Sequence, residues 1–185
     1  KNFYTYGEDK MSNFQIININ QTSKFSSFDI KINIPSKNKT IKNIKLPMIG
    51  IHNIRNATAA VALSFTIGLP IKYIKLGLQN FKGVQRRFSH LFDYNRVSFY
   101  DDYAHHPTEI SSVLSGVKNV YNNKEIICVF QPHRISRVNS LKQEFSKCFK
   151  MADTVLLCPI YTANEKFRLD FTYQSFAELI IKNSK

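Results

Sequence analysis

The sequence predicts an α/β protein in two parts: an antiparallel hairpin with helices, followed by a doubly wound parallel sheet. In the first part, apolar and polar residues alternate over residues 14–19 and 28–34, which is the pattern of strands with one buried face. In the second part, the succession of strand, polar loop and helix occurs three times, which is typical of a parallel sheet. We place the domain boundary near residues 83–88, which divides the chain into 1–86 and 87–185.

Two helices are expected to follow the hairpin. Residues 53–67 are rich in alanine and carry apolar residues at helical spacing, and Gly68 and Pro70 end this segment. A second, shorter helix is expected over residues 71–81. The first part is therefore predicted to be a hairpin-plus-helix unit.

The second part begins with a strand predicted over residues 97–100, after which Pro107 opens a helix at the first-turn position that proline favours. The apolar runs at 125–130 and 154–158 are typical of strands buried within a parallel sheet. Helices are expected over residues 107–121, 138–150 and 173–182. This order of elements is Rossmann-like.

Composition and length exclude several protein classes. The chain has 185 residues, of which 43% are hydrophobic and 21% charged, a balance that excludes a disordered or fibrous protein. Its three cysteines have no paired spacing, which excludes a disulfide scaffold and a zinc ribbon and suits a reducing compartment. No apolar stretch is long enough to span a bilayer, and no secretory signal is visible. We therefore expect a cytoplasmic protein with no membrane partner.

The chain is basic, with 26 lysines and arginines against 13 acids and a formal net charge of +13. This charge is compatible with an RNA-binding module, because clustered cations release counterions from phosphates. The lysines, however, are scattered among asparagine and isoleucine, and no cationic run is longer than Arg86–Arg87. We favour a compositional bias and expect no nucleic-acid partner, although a small phosphorylated substrate would explain the charge equally well.

Polar residues are concentrated directly after each predicted parallel strand, in the segments 101–106, 131–137 and 161–165. Because open parallel sheets bind ligands beyond the carboxyl ends of their strands, we expect a functional site there. Within it, Arg134 and Arg137 are three residues apart and can point to the same side. Their forked guanidinium groups suit a carboxylate or a phosphate, whereas a solvated helix start is the alternative.

The segment 101–106 contains two acids and two histidines, more than the capping of one helix requires. A carboxylate in it could accept hydrogen bonds from ribose hydroxyls, and an imidazole could donate one to an anion. A metal site remains an alternative, although the spacing matches no closed zinc pattern. Its ligands would be Asp101, Asp102, His106 and Glu109, and a metal-dependent hydrolase would use Asp101, Asp102, His105 and His106.

Two further features concern a nucleotide. His52, Asn53 and Asn56 open the first helix after Gly50, and their amide groups could recognise a base edge, although an ordinary N-cap is the alternative. None of the six glycines begins a GxxxxGK[ST] phosphate-binding loop. If the protein uses ATP, its phosphate cradle lies outside this chain.

Four motifs together resemble the Mur ligases of peptidoglycan synthesis. They are Gly50–Ala57, Gly83–Phe88, Asp101–Pro107, and Gln131–Arg134 with Arg137. Each motif is weak alone, but four in this order and spacing are specific, and the resemblance covers the whole chain, most firmly residues 50–165. One departure is Asn164, which stands immediately before Glu165, where the family usually has glycine.

The resemblance implies an ATP-dependent ligase that acts through an acyl phosphate and requires Mg²⁺. ATP phosphorylates the carboxylate of UDP-N-acetylmuramate, the amine of L-alanine attacks the acyl phosphate, and phosphate leaves. The residues that the resemblance implies bind ATP are His52, Asn53, Asn56, Arg87 and Asp102. Those that it implies hold the amino acid are Tyr103, His105, Arg134 and Arg137, with the arginines on its carboxylate. No catalytic side chain and no metal ligand are assigned.

The resemblance also implies what each part of the chain is. Residues 1–86 would be the C-terminal part of the family's central, ATP-binding domain, and 87–185 an incomplete, amino-acid-binding C-terminal domain. The family's uridine-binding domain, phosphate-binding loop and magnesium ligands have no counterpart here, so we expect a fragment that is inactive alone and binds its ligands weakly at most. A Mur ligase that recycles murein tripeptide is the alternative; Tyr103 and the Gln-Pro-His-Arg motif favour the alanine-adding activity.

Overall fold

The computed structural model describes residues 3–35, 37–166 and 172–183, and the chain forms two compact units, residues 1–85 and 86–185. Each unit has its own hydrophobic core. The α/β fold class predicted from the sequence is confirmed. Among the described residues, none of the helices is long and apolar enough to cross a membrane.

The first unit is a four-stranded sheet packed against two helices. Its elements are β1 (Tyr6–Gly7), β2 (Phe14–Gln21), β3 (Ser26–Ile32), β4 (Lys39–Leu46), α1 (Ile51–Thr66) and α2 (Ile71–Gln79). The strands lie side by side in chain order, with β1 parallel to β2 and the other neighbours antiparallel. Phe14 and Ile30 on the inner face of the sheet pack with Ile54 and Val61 of α1, and all four are fully buried. The predicted hairpin and both predicted helices are confirmed.

The alternation pattern does not predict β4, because a β-bulge interrupts it. Ile41 and Ile44 are both buried although they are three residues apart, since one extra residue at Lys42–Asn43 shifts the register against β3. A second bulge lies in β2, between Ile17 and Asn20. The central strand β3 therefore has a bulged strand on each side.

Both bulges are centred on Asp29 of β3. One of its carboxylate oxygens accepts a hydrogen bond from the backbone N–H of Asn43 at 2.7 Å, and the other accepts one from the side-chain amide of Asn18 at 2.8 Å. Asn18 and Asn43 have φ angles of 54° and 55°, in the left-handed region that asparagine tolerates better than most residues. Asp29 thus holds the extra residue of each flanking strand.

The second unit combines a hairpin, a parallel strand pair and four helices in its described part. Its elements are β5 (Ser89–Tyr94), β6 (Val97–Asp101), α3 (Pro107–Val120), β7 (Ile127–Phe130), α4 (Ile135–Ser140), α5 (Lys142–Lys147), β8 (Thr154–Leu157) and α6 (Tyr173–Asn183). Phe130, Phe145, Phe149 and Phe176 form the centre of its core with ring centroids 5.2–5.9 Å apart. This core fixes β7 against α5 and α6.

The predicted parallel pairing is confirmed for β7 and β8, but β6 has a different partner from the one expected. It forms an antiparallel hairpin with β5, which the sequence pattern does not predict. The two strands are joined by Asn95 and Arg96, whose φ angles of 47° and 66° are those of a tight hairpin turn. This turn lacks the usual asparagine–glycine signal, and a bulge near Leu91 disturbs the alternation of β5.

The helix predicted over residues 138–150 is instead two short helices. α4 begins earlier, at Ile135, and meets α5 at Leu141, whose φ of −119° lies outside the helical range. The earlier start matters, because it places Arg134 at the N-cap of α4 and Arg137 within its first turn.

Replacing Asp29 with alanine is expected to lower the free energy of unfolding by about 1–2 kcal/mol, because two donors in the bulges lose their acceptor. Asp29→Asn is the matched control: it keeps one acceptor oxygen and should lose less. Urea unfolding followed by circular dichroism measures both variants. Equal midpoints for Asp29→Ala and the wild type would contradict the prediction. They would mean that the bulges at Asn18 and Asn43 are stable without their hydrogen bonds to Asp29.

Candidate functional site

The loop between β6 and α3 is fixed by its own carboxylates. Asp102, which is predicted to bind ATP, accepts hydrogen bonds from the backbone N–H groups of Phe88 and Ala104, each at 2.7 Å and on different oxygens. Asp101 accepts one from Nε of Arg86 at 3.1 Å. Since a carboxylate oxygen can accept two hydrogen bonds, each oxygen of Asp102 can accept a further one from a ligand hydroxyl.

Glu109 organises the start of α3. Its carboxylate accepts hydrogen bonds from the backbone N–H groups of His105 at 3.1 Å and His106 at 3.3 Å, and it lies 3.8 Å from the guanidinium of Arg87. His106 is the N-cap, and its Nδ1 accepts from the N–H of Thr108, which completes a capping box. Burial raises the pKa of Glu109, but the two amide hydrogen bonds and the charges of His105 and Arg87 outweigh it and hold this pKa below its ordinary value.

Four rings form a row across the ends of the strands. The centroids of Tyr103 and His105 are 5.1 Å apart, those of His105 and His133 6.4 Å, and those of His133 and Tyr161 4.9 Å. At one end of the row, the guanidinium of Arg86 lies 4.8 Å from the centroid of the Tyr103 ring, in a cation–π contact. The row connects the loop after β6 with the loops after β7 and β8.

The tautomer of His105 follows from its hydrogen bond. Its Nδ1 lies 2.9 Å from the carbonyl oxygen of Tyr103. Because a carbonyl oxygen can only accept, this contact assigns a proton to Nδ1 and leaves the lone pair of the neutral ring on Nε2. Nε2 is therefore the atom of His105 that can accept a hydrogen bond from a ligand.

Arg134 and Arg137 flank His133. Arg137 donates from Nη1 to the carbonyl oxygen of His133 at 3.4 Å, and Arg134 is exposed at the N-cap of α4. Burial, and then the positive charges of Arg137 and Arg134, hold the pKa of His133 below its ordinary value, so its ring is neutral near pH 7. The structure therefore brings His105, Arg134 and Arg137 close to one neutral ring, that of His133, and Tyr103 contacts His105 in the same row.

The backbone of Arg134 is strained. Its φ of 69° and ψ of 122° lie in a region that favours glycine, and such a conformation costs of the order of 1–3 kcal/mol for a residue with a side chain. Strained residues of this kind are concentrated at functional sites, because the surrounding structure must hold them.

The residues predicted to face adenine begin α1 in the first unit. Gly50 precedes them with a φ of 91°, and a Cβ at this position would lie 2.6 Å from Cε1 of His52. Only glycine therefore allows the imidazole to lie so close to the backbone. Asn53 donates its side-chain amide to the carbonyl oxygen of Ile49 at 2.8 Å, whereas Asn56 is exposed.

The alternative metal site is not assembled. In the ranges 3–35, 37–166 and 172–183, no three histidine, cysteine, aspartate or glutamate side chains are grouped so that they could hold a metal ion. The acids at 101 and 102 bind Arg86 and backbone amides, and the rings of His105 and His106 bind backbone groups. The hydrolase alternative therefore has no ligand set in the described part of the chain.

Two residues of this region have roles that the sequence did not suggest. His133 lies inside the ring row, between His105 and Tyr161, and its place shortly after a buried strand, between a proline and an arginine, was the available signal. Glu165 binds Ser136 of α4 through both carboxylate oxygens. No local sequence signal indicates that contact, because the two residues are far apart in the chain.

Comparison with known proteins identifies the family of the chain. Residues 86–180 match the family model described as Mur ligase, glutamate ligase domain. The chain is 60% identical to the UDP-N-acetylmuramate–L-alanine ligase of Pelagibacter ubique, over all of the chain and 40% of that relative. It is 44% identical to the protein of the same name from Rickettsia canadensis, over 97% of the chain and 39% of that relative. The chain thus spans about 40% of the length of the curated relatives that it matches.

Two solved structures are also similar to the chain. The UDP-N-acetylmuramate-alanine ligase of Thermotoga maritima aligns with 97% of the chain and 37% of its own length, at a TM-score of 0.76 and 27% identity. A murein peptide ligase from Psychrobacter arcticus aligns with 83% of the chain and 31% of its own length, at a TM-score of 0.54 and 26% identity.

The pH dependence of stability should reveal the charge of Glu109. Because its pKa is lower in the folded than in the unfolded chain, its ionised form stabilises the fold above the ordinary carboxyl pKa of 4.5, and this contribution disappears as the pH falls through the folded value. Glu109→Gln is therefore expected to destabilise the chain at pH 7 and to differ less from the wild type at pH 3, in urea unfolding. Glu144→Gln, at an exposed position on α5, is the control. A difference that is the same at both pH values would contradict the prediction.

Proposed function

Because the chain belongs to the Mur ligase family, we propose that it is part of an ATP-dependent ligase that joins L-alanine to UDP-N-acetylmuramate in peptidoglycan synthesis. The names of its relatives support this activity. Since the chain corresponds to about 40% of their length, the activity is proposed for the complete protein. The contribution of these residues is to bind and orient two of the three substrates.

The observation that carries the proposal is that two arginines and His105 lie close to the neutral ring of His133, with Tyr103 next to His105. Arg134 and Arg137 offer forked donors that suit the α-carboxylate of an amino acid. His105 has its lone pair on Nε2, which can accept a hydrogen bond from the amino group at the other end of the same molecule. Both charged groups of alanine are thereby recognised.

The proposed reaction requires that the substrates be held in position and that the charge of the reacting groups be stabilised. In the proposed reaction, ATP transfers its terminal phosphoryl group to the carboxylate of UDP-N-acetylmuramate and leaves as ADP. The amine of alanine then attacks the carbonyl carbon, a proton leaves the nitrogen, and the bond to phosphate breaks to release inorganic phosphate. Holding the amine close to the acyl phosphate supplies much of the rate enhancement in such transfers. The mechanism needs no side-chain nucleophile, and we assign none.

We propose that His52, Asn53, Asn56, Arg87 and Asp102 bind ATP. Asn53 donates one of its two side-chain N–H groups to Ile49, so its second N–H and its side-chain oxygen are the groups for a base edge. Asp102 can accept a further hydrogen bond from a ribose hydroxyl. Magnesium accompanies ATP in such reactions; the described residues contain no group of three or more histidine, cysteine, aspartate or glutamate side chains that could hold a metal ion, and we assign it no ligand in this chain. Because ATP and UDP-linked sugars are cytoplasmic metabolites, we propose the cytoplasm as the location.

Replacing Arg137 with alanine in the complete protein is expected to raise KM for L-alanine at least about tenfold, since one charge-assisted contact to the carboxylate is lost. The KM for ATP should change little. The assay measures alanine-dependent phosphate release with UDP-N-acetylmuramate, ATP and Mg²⁺. Arg96→Ala, an exposed arginine in the turn between β5 and β6, is the matched control.

The outcomes separate the candidate functions. Activity with L-alanine that is weakened in Arg137→Ala supports both the ligase and the role of the arginine. Activity with a preformed peptide but not with L-alanine would indicate the tripeptide-recycling ligase. Absence of phosphate release with either acceptor would contradict the ligase altogether.

A further inference from the structure

The N-terminus of α4 lacks the side-chain cap with which helices usually begin. Helices usually begin with serine, threonine, aspartate or asparagine, whose side chain accepts a hydrogen bond from an N–H of the first turn. Here the N-cap residue is Arg134, whose side chain makes no capping hydrogen bond, and an arginine has only donors to offer. The first-turn N–H groups of α4 therefore need an acceptor from elsewhere.

Glu165 supplies that acceptor from a different part of the chain. One of its carboxylate oxygens accepts a hydrogen bond from the backbone N–H of Ser136 at 2.9 Å, and the other accepts one from the hydroxyl of Ser136 at 2.6 Å. The hydrogen bonds from Ser136 and the nearby charge of Arg134 hold the pKa of Glu165 below its ordinary value, so the cap is ionised near pH 7.

The segment that carries Glu165 is fixed against the segment that carries Arg134. The backbone N–H of Arg134 donates to the carbonyl oxygen of Tyr161, and the N–H of Tyr161 donates to that of Pro132, both at 2.8 Å. Ala163 and Asn164 then turn the chain with φ angles of 54° and 67°. This left-handed turn places the next residue, Glu165, at the start of α4.

We propose that Glu165 is the positioning residue for the arginine pair: by capping α4 from outside, it allows an arginine to occupy the N-cap and to present its guanidinium to the carboxylate of the amino-acid substrate. The inference rests on the proposed function. In this role Glu165 acts through the arginines: it holds Arg134 in its strained conformation and Arg137 in the first turn of the same helix.

The test compares Glu165→Ala, Glu165→Gln and Ser136→Ala in the complete protein, with alanine-dependent phosphate release as the readout. Glu165→Ala should raise KM for L-alanine about tenfold, comparable to the loss of one hydrogen bond to a charged group, and leave KM for ATP within about twofold. Glu165→Gln keeps one acceptor oxygen and should recover part of the loss. Ser136→Ala, the milder change, should have little further effect in the Glu165→Ala background, because the two residues act through one contact.

Glu178→Gln is the matched control, because this exposed glutamate on α6 bonds only the side chain of Gln174 among its described contacts. A KM for L-alanine that is unchanged in a folded Glu165→Ala protein would overturn the inference. So would KM values for L-alanine and ATP that rise together with a lowered unfolding midpoint, since that pattern belongs to a merely structural cap. In both cases the wild type is active, whereas an inactive wild type would overturn the proposed function and this inference with it.

Discussion

The parallel pairing of β7 with β8 is the constraint on which the site in the second unit depends. Its register matches Ile127–Phe130 with Thr154–Leu157, and the pairing continues past the strand ends to a bridge between His133 and Tyr161. Two loops that are distant in the sequence therefore leave the sheet side by side. Because parallel strands end at the same edge, His133, Tyr161, the arginine pair and Glu165 all lie at that edge.

Acidic side chains near the site bind the protein's own donors. Asp102 and Glu109 accept backbone N–H groups that fix the loop before α3, and Glu165 accepts the donors that fix α4. Each carboxylate thereby stabilises the backbone of a segment that carries candidate site residues. In a chain with a formal net charge of +13, this use of the acids suits a site whose proposed ligands, a nucleotide and a carboxylate, are both anions.

The sequence predicts the elements whose periodicity is regular over most of their length. Residues 28–34 and the helices of the first unit follow a simple period of two or 3.6 residues, and they form as predicted. β2 also forms as predicted, although a bulge follows its first four residues. β4 and β5 each contain an extra residue that breaks the alternation. The same limit applies to the site: the clusters after each strand are visible locally, but the partner of Ser136 is set by long-range pairing that no local pattern encodes.

Arg134 shows how these constraints combine in a single residue. A residue with good capping chemistry at this position would stabilise α4 on its own, but it would place a short polar side chain where the site has a guanidinium. The structure instead keeps an arginine there, in a backbone conformation that favours glycine, and provides the missing acceptor from the neighbouring loop. The turn that delivers this acceptor has two residues with positive φ, and Asn164 suits it because asparagine tolerates the left-handed region better than most residues. One requirement, the presentation of a cation at the start of a helix, thus explains three features. They are the backbone strain of Arg134, the left-handed turn at Asn164 and the contact of Glu165 with α4.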